Sequence, residues 1–411
     1  MTAHCRQVAS LLALLALVAL VPGCDSKSLD EDTFVVLLDS SPKGLDPRLA
    51  TSDASAKLIG LLHAGLVTTD TKDGDLKLDL AESIEQTSTT RYEVELRDDA
   101  YFHDGHPVTA EDVEYTFMEL GSEEVGSPHA GTAERIEDFE VVDERRMVIT
   151  LEKPYAPFLS DLSLGVVPRH LCEGRSECRG EPVGAGPFRF IERDGDELFV
   201  FERFDRHHGQ VPHLERLAFK VVEDDNTRLL ALLGEAADLV QNAVAPMLFP
   251  VVDREDNLHM ETSPSFKYTY LAFNLEHPIL KERKVRRAIA HAIDREAIIE
   301  HKFDGHARLS TGMIAPEHWA YEPDVPRYEY DPERARELLD EAGFADPDGK
   351  DGPQPRFELE FKVSASSFRR SLAELIGHQL KRVGIDVTVR SYEWGTLYDD
   401  IQSRNFAMTT M

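Results

Sequence analysis

The stretch from Phe357 to Val389 constrains the fold more tightly than any other part of this sequence. Phe357, Leu359, Phe361 and Val363 alternate with other residues at the two-residue period of a strand. The spacing then changes: Phe368, Leu372, Leu375, Ile376 and Val383 recur on one face of a helix that Gly384 stops. Ile385, Val387 and Val389 return to alternation. Two strands joined by a helix lie parallel with a right-handed crossover, so the fold class is α/β.

Similar signals recur upstream. Asp331 stands as an N-cap before Pro332 at the first helical position, Leu338 and Leu339 face inward, and Gly343 ends that helix. Val285, Ala288, Ile289, Ala292 and Ile293 follow helical spacing, with Arg286 and Arg287 turned the other way. Thr33 to Leu38 is an apolar run of buried-strand length, followed by a turn-rich stretch from Asp39 to Pro47. Tyr92, Val94 and Leu96, then Met147, Ile149 and Leu151, alternate as strands. Between them Thr109 caps a helix whose third residue is Asp112. Phe188 to Phe190 and Leu198 to Phe201 read as strands, and Asp225 to Leu233 as a helix. At 411 residues with 42% hydrophobic content, the chain exceeds what one core serves, and two or three folded units are expected.

The N-terminus is organised differently. Arg6 precedes an apolar run from Leu11 to Val21, about half of what a spanning helix needs, so the run reads as the core of an export signal. It ends in Val21-Pro22-Gly23-Cys24, and a small residue directly before a cysteine resembles the lipobox of bacterial lipoproteins. That resemblance implies lipidation of Cys24 as the first mature residue, and residues 24–32 form a charged tether. Export places the protein where disulfides persist, so Cys172 and Cys178, in a polar loop, are expected to pair; a metal site with His170 is the alternative.

Acidic residues outnumber basic ones by 76 to 45, for a net charge of −31, which repels nucleic acid and anionic lipid. No G-x-S-x-G elbow, H-E-x-x-H or P-loop sequence is present. Gly184-Ala185-Gly186-Pro187 leads into a strand-like Phe-Arg-Phe, so a phosphate there has no helix N-terminus behind it, and a backbone turn is the simpler reading. His103 and His106 flank Asp104-Gly105, which is turn chemistry, and both histidines are read as solvated rather than as metal ligands. Catalysis, a resident cofactor and a metal are therefore not expected.

Several blocks, in order, resemble one family. They are Leu80-Ala81-Glu82, Tyr92 to Arg97, Phe102-His103-Asp104-Gly105-His106-Pro107-Val108-Thr109-Ala110-Glu111-Asp112-Val113, and Val183-Gly184-Ala185-Gly186-Pro187-Phe188. Leu271-Ala272-Phe273-Asn274, Lys284 to Ile289, Ala292 to Arg295 and Tyr330 to Gly343 complete the series. Together they are similar to the bacterial extracellular solute-binding proteins of family 5, the peptide and nickel receptors of ABC importers.

The resemblance implies a two-lobed periplasmic-binding-protein-like fold of type II, with an extra subdomain and a hinge. The expected division is a signal over 1–23, tether over 24–32, lobe I from 33–67 with 183–265, a subdomain over 68–182 packed on it, and lobe II over 266–411. The last is expected to be incomplete, because the chain stops before the family's aromatic and acidic segment; a fragment is expected. Ligand contacts are implied at Thr51, Ser52, Asp53, Asn242, Tyr268, Tyr270, Asn274, Tyr392 and Trp394, with Asn242 alternatively a turn residue and Tyr270 or Trp394 alternatively core. Where the dipeptide receptors place an arginine for the ligand carboxylate, this chain has Ser364-Ala365-Ser366-Ser367. The implied function is a monomeric receptor, exported and anchored through lipid, that captures peptides or similar small solutes by hinge closure and delivers them to an ABC permease. The alternative is a structural or signalling lipoprotein that kept the fold without transport.

Overall fold

A computed structural model describes residues 29, 32–69, 75–176, 178, 180–263, 267–316, 318, 320–349 and 352–411. Phe34 to Met411 form one compact unit. Cys24 and the apolar run before it lie outside the described residues, as does the expected lobe boundary at 265/266. No helix of the described residues is long and apolar enough to cross a membrane.

Along the first half of the chain the strands are β1 (Thr33–Leu38), β2 (Val67–Thr69), β3 (Leu76–Leu78), β4 (Ala81–Gln86), β5 (Arg91–Leu96), β6 (Ile136–Val141) and β7 (Arg146–Leu151). Then follow β8 (Phe188–Asp194), β9 (Leu198–Arg203), β10 (Arg216–Val221), β11 (Leu239–Val240), β12 (Leu271–Phe273), β13 (Phe357–Ser364), β14 (Ile385–Tyr392) and β15 (Met408–Thr410). The longer helices are α1 (Asp53–Leu62), α2 (Ala110–Glu119), α3 (Asp225–Leu233), α4 (Arg283–Ala292), α5 (Arg295–Phe303), α6 (Pro332–Glu341), α7 (Ser367–Lys381) and α8 (Trp394–Gln402).

Among the described residues three larger sheets organise three cores, beside a two-stranded ribbon of β2 and β3. The first has the order β11-β1-β10-β9-β8, with β1 parallel to β11 and the β8-β9-β10 meander antiparallel. Phe201 packs between Phe190 and Phe219 at centroid distances of 5.7 and 5.5 Å, and α1 adds Leu58 and Leu62. A buried phenylalanine of this kind contributes about 2–3 kcal/mol through removal of apolar area from water.

The second sheet, β4-β5-β7-β6, is antiparallel throughout and carries α2 on its inner face. Inward Tyr92, Val94 and Leu96 alternate with outward residues as the period of two requires, and Ala64, Leu66, Val67 and Ala185 join this core. Asp112 is the pivot of the α2 cap: its Oδ2 accepts from Thr109 N at 2.9 Å and Oγ1 at 2.7 Å, and its Oδ1 accepts from Arg169 N at 2.9 Å.

The third sheet is β12-β15-β13-β14. β13 and β14 pair in parallel from Phe357↔Ile385 to Ser364↔Tyr392, with α7 as the crossover, as the spacing requires. Gly384, at φ +85°, makes the turn from α7 into β14 in a conformation that favours glycine. Asp331 Oδ1 caps α6 through Arg334 N at 2.9 Å, and Leu338 and Leu339 are fully buried with Val285, Ala288 and Ile289 of α4.

Two expectations are corrected here. Cys172 and Cys178 are bonded, but Cys172 ends the short helix Arg169–Cys172 and is fully buried rather than in a polar loop. His103 is not a solvated turn residue. Its Nε2 donates to Gly186 O at 3.0 Å and its Nδ1 accepts from Gly184 N at 3.2 Å, so the ring locks the 184–186 turn to the second core.

Candidate functional site

The turn after β1 and the start of α1 form one wall of the candidate site. Asp46 accepts from Arg48 N and Nε, both at 3.0 Å, and from Nη2 at 2.6 Å; the fully buried Arg48 guanidinium fixes the loop that leads to Thr51. Ser52 is the N-cap of α1, its Oγ accepting from Ser55 N at 3.1 Å. Asp53 therefore stands in the first turn with Lys57 one turn behind it. Alongside, Arg228 of α3 is almost fully buried and donates from Nε to Ala243 O at 2.9 Å while pairing with Asp225. It holds together Asp225 and the turn at Asn242, which has a φ of +57° and is exposed.

The facing wall comes from the N-termini of α7 and α8. Trp394 Nε1 donates to Thr51 Oγ1 at 3.3 Å, Glu393 pairs with Lys43 at 2.8 Å, and Ser367 Oγ donates to Asp225 Oδ2 at 3.3 Å. At one side Lys267 Nζ lies 2.5 Å from Asp53 Oδ2. Tyr268 and Tyr270 stack with centroids 5.5 Å apart and planes 17° apart. They precede β12 rather than lying within it, and Tyr270 is 38% exposed, so it is not core.

Charge is distributed unevenly across these walls. The Asp53 carboxyl is held below its ordinary value, chiefly by its hydrogen bond from Lys267, with Lys57 and Arg369 adding to the effect. Lys57 is pushed down, first by burial, with Asp39 and then Asp53 opposing the shift; Arg369 is pushed down by burial, with Asp53 opposing. Arg369 Nη1 donates to Thr269 Oγ1 at 3.5 Å. Three cations thus act on one carboxylate, and for the half-buried Lys57 and Arg369 burial makes the charge costlier to carry. A second anion placed there lowers that cost.

The structure brings Thr51, Ser52, Asp53 and Trp394 together, with Lys267 linking them to Tyr268 and Tyr270. Tyr392 lies just before Glu393, its ring 5.2 Å from Lys362 Nζ. Asn274 is occupied elsewhere: its Nδ2 donates to Arg404 O at 2.9 Å and Phe406 O at 3.0 Å, and its Oδ1 accepts from Glu276 N at 2.9 Å. A wide-open depression of about 370 Å³ around Asn274, Glu360 and Arg404 shares no other residue with the predicted set, and we do not place the site there. Sequence reasoning missed Arg369, Lys57 and Lys267. Arg369 was legible as the Arg-Arg pair two residues beyond Ser367, at the start of a strongly patterned helix.

Residues 75–411 match the family model for the middle of bacterial extracellular solute-binding proteins, family 5. The oligopeptide-binding protein AppA of Bacillus subtilis (strain 168) is 28% identical over 380 residues, covering 88% of this chain and 69% of that protein. The solved structure of B. subtilis AppA with a nonapeptide superposes with a TM-score of 0.85 at 27% identity, covering 92% of this chain and 78% of the other. NikZ from Campylobacter jejuni, in complex with Ni(L-His), superposes with a TM-score of 0.83 at 26% identity, covering 93% and 77%.

Proposed function

The chain belongs to the bacterial extracellular solute-binding proteins of family 5, with their two-lobed fold, and from that premise we propose that it captures a small solute bearing a carboxylate, such as a peptide. The solute lies between the Thr51–Lys57 wall and the Arg369–Trp394 wall. Arg369, Lys57 and Lys267 receive its anionic end; Trp394, Tyr268 and Tyr270 supply apolar area and hydrogen bonds that suit many side chains. A ligand touching both walls binds the closed arrangement more tightly than the open one and shifts the equilibrium by that difference. Cys24 anchors the receptor through lipid outside the plasma membrane, and the closed receptor delivers its cargo to an ABC permease.

The observation that carries this reading is the cationic excess around Asp53 where the two walls meet. Isothermal titration of the chain from Cys24 onward against di- to pentapeptides tests it. Free-acid peptides are expected to bind and their C-terminal amides to bind at least about tenfold more weakly, the loss expected for a charge-assisted hydrogen bond of 1.5–3 kcal/mol. Equal affinity for acids and amides would remove the carboxylate from the account, and silence across the panel would remove peptides.

A further inference from the structure

A second cluster lies in the part of the molecule built on the β4-β5-β7-β6 sheet, and shares no residue with the site above. The turn Phe102–His106 is closed by Gly105 N donating to Phe102 O at 2.9 Å and Phe102 N donating to His106 O at 2.8 Å, with Gly105 at φ +92°. It presents Asp104 and His106 together. His170 meets them from the short helix Arg169–Cys172: its Nε2 donates to Asp104 Oδ2 at 2.7 Å, and His106 Nδ1 lies 3.2 Å from Asp104 Oδ1. The two imidazoles are 4.3 Å apart, and the three ligand atoms lie within 4.8 Å of one another.

Both supports are fixed. The Arg169 backbone is tied to the α2 cap through Asp112, and Cys172, two residues beyond His170, is disulfide-bonded to Cys178. Phe102 is fully buried and meets His170 edge-on at 6.5 Å. The ligand set therefore changes little in position when an ion enters, which keeps the ordering cost small.

We propose that Asp104, His106 and His170 bind one divalent first-row transition-metal ion of borderline softness, such as Zn²⁺, through two imidazole nitrogens and one carboxylate oxygen. Nitrogen and oxygen ligands about 2.0–2.2 Å from an ion stand about 3.3 Å from each other in a tetrahedron, inside the 4.8 Å span of the three ligand atoms; His170 faces Asp104 Oδ2 and His106 faces Oδ1, so a small side-chain rotation brings both rings to an ion on one oxygen. Each imidazole moves its proton to its other ring nitrogen as its ligand nitrogen turns to the ion, so neutral rings release no net proton. The side chains of His106, His170 and Asp104 are 62%, 36% and 25% exposed, which leaves coordination positions to water and makes the site exchangeable. Sequence reasoning set aside His103 with His106 as a metal pair; folding turns the half-buried His103 to Gly184 and Gly186 and supplies His170 instead.

Equilibrium dialysis and calorimetry with ZnCl₂ on the full chain, unmodified and as His106→Asn, test the proposal. Removing one ligand is expected to weaken one Zn²⁺ site at least about tenfold, and heteronuclear spectra of the unmodified protein are expected to shift the His106 and His170 ring nitrogens first. Asp104→Asn, which removes the charge and keeps one acceptor oxygen, is expected to weaken Zn²⁺ similarly, whereas Arg369→Met is expected to leave it unchanged. Zn²⁺ binding that is absent, or that is unaffected by His106→Asn and Asp104→Asn in proteins with unchanged circular dichroism, overturns it.

Discussion

His103 offers the sharpest quantitative test of how the protein is held together. Its ring donates from Nε2 to Gly186 O and accepts at Nδ1 from Gly184 N, so the neutral form satisfies both neighbours. Protonation would turn Nδ1 into a donor facing another donor. Burial, opposed by the bond to Gly186, brings the ring from 6.5 to about 4. A folded pKa below the unfolded value means that the unfolded chain binds the proton more readily; the contribution is complete above about pH 6.5 and is lost as pH falls toward about 4. Between pH 7.5 and 5 the loss from this group is about 2 kcal/mol, rising to about 3 below pH 4. His207, also pushed to about 4 by burial first and His208 second, and His63, pushed down by burial, act in the same direction. Urea unfolding of the unmodified protein and of His103→Gln at the two pH values isolates the term, because other titrating groups cancel in the comparison. The unmodified protein is expected to lose about 2 kcal/mol more than the variant. A difference below about 0.5 kcal/mol would refute the assignment of His103 as a neutral, doubly bonded ring.

Other substitutions test neighbouring parts of the account. Gly184→Ala would place its Cβ 2.0 Å from Leu62 O and 2.8 Å from His63 Nδ1; a destabilisation of about 3 kcal/mol in thermal unfolding is expected, since backbone cannot give way as a flexible side chain does. Asp112→Ala removes both cap bonds and the tie to Arg169 N, with an expected cost of about 2–3 kcal/mol by urea titration. Asp112→Asn keeps acceptor capacity and is expected to cost less.

Much of the architecture was legible because its signals are local. Asp331, Pro332 and Gly343 bound α6, and the switch of period around Phe368 and Gly384 specified a β-α-β unit that folds as a parallel pair. What the spacing did not contain was the partner of each polar side chain. His103 read as a turn residue because its partners, Gly184 and Gly186, lie some eighty residues away. Asn274 read as a ligand contact, yet its amide closes the loop at Arg404 and Phe406. The cations around Asp53 come from three separated stretches, at Lys57, Lys267 and Arg369, and each is an ordinary surface residue type until the chain brings them together.

Trp394 gives the most direct test of the central claim that a solute is held between the two walls. The chain has two tryptophans, so a Trp319→Phe background leaves Trp394 as the reporter beside Thr51. Titrating that protein with free-acid tetrapeptides is expected to give a saturable change in Trp394 emission, strongly weakened by Arg369→Met. Calorimetrically detected binding that leaves Trp394 emission unchanged and is indifferent to Arg369→Met would contradict it.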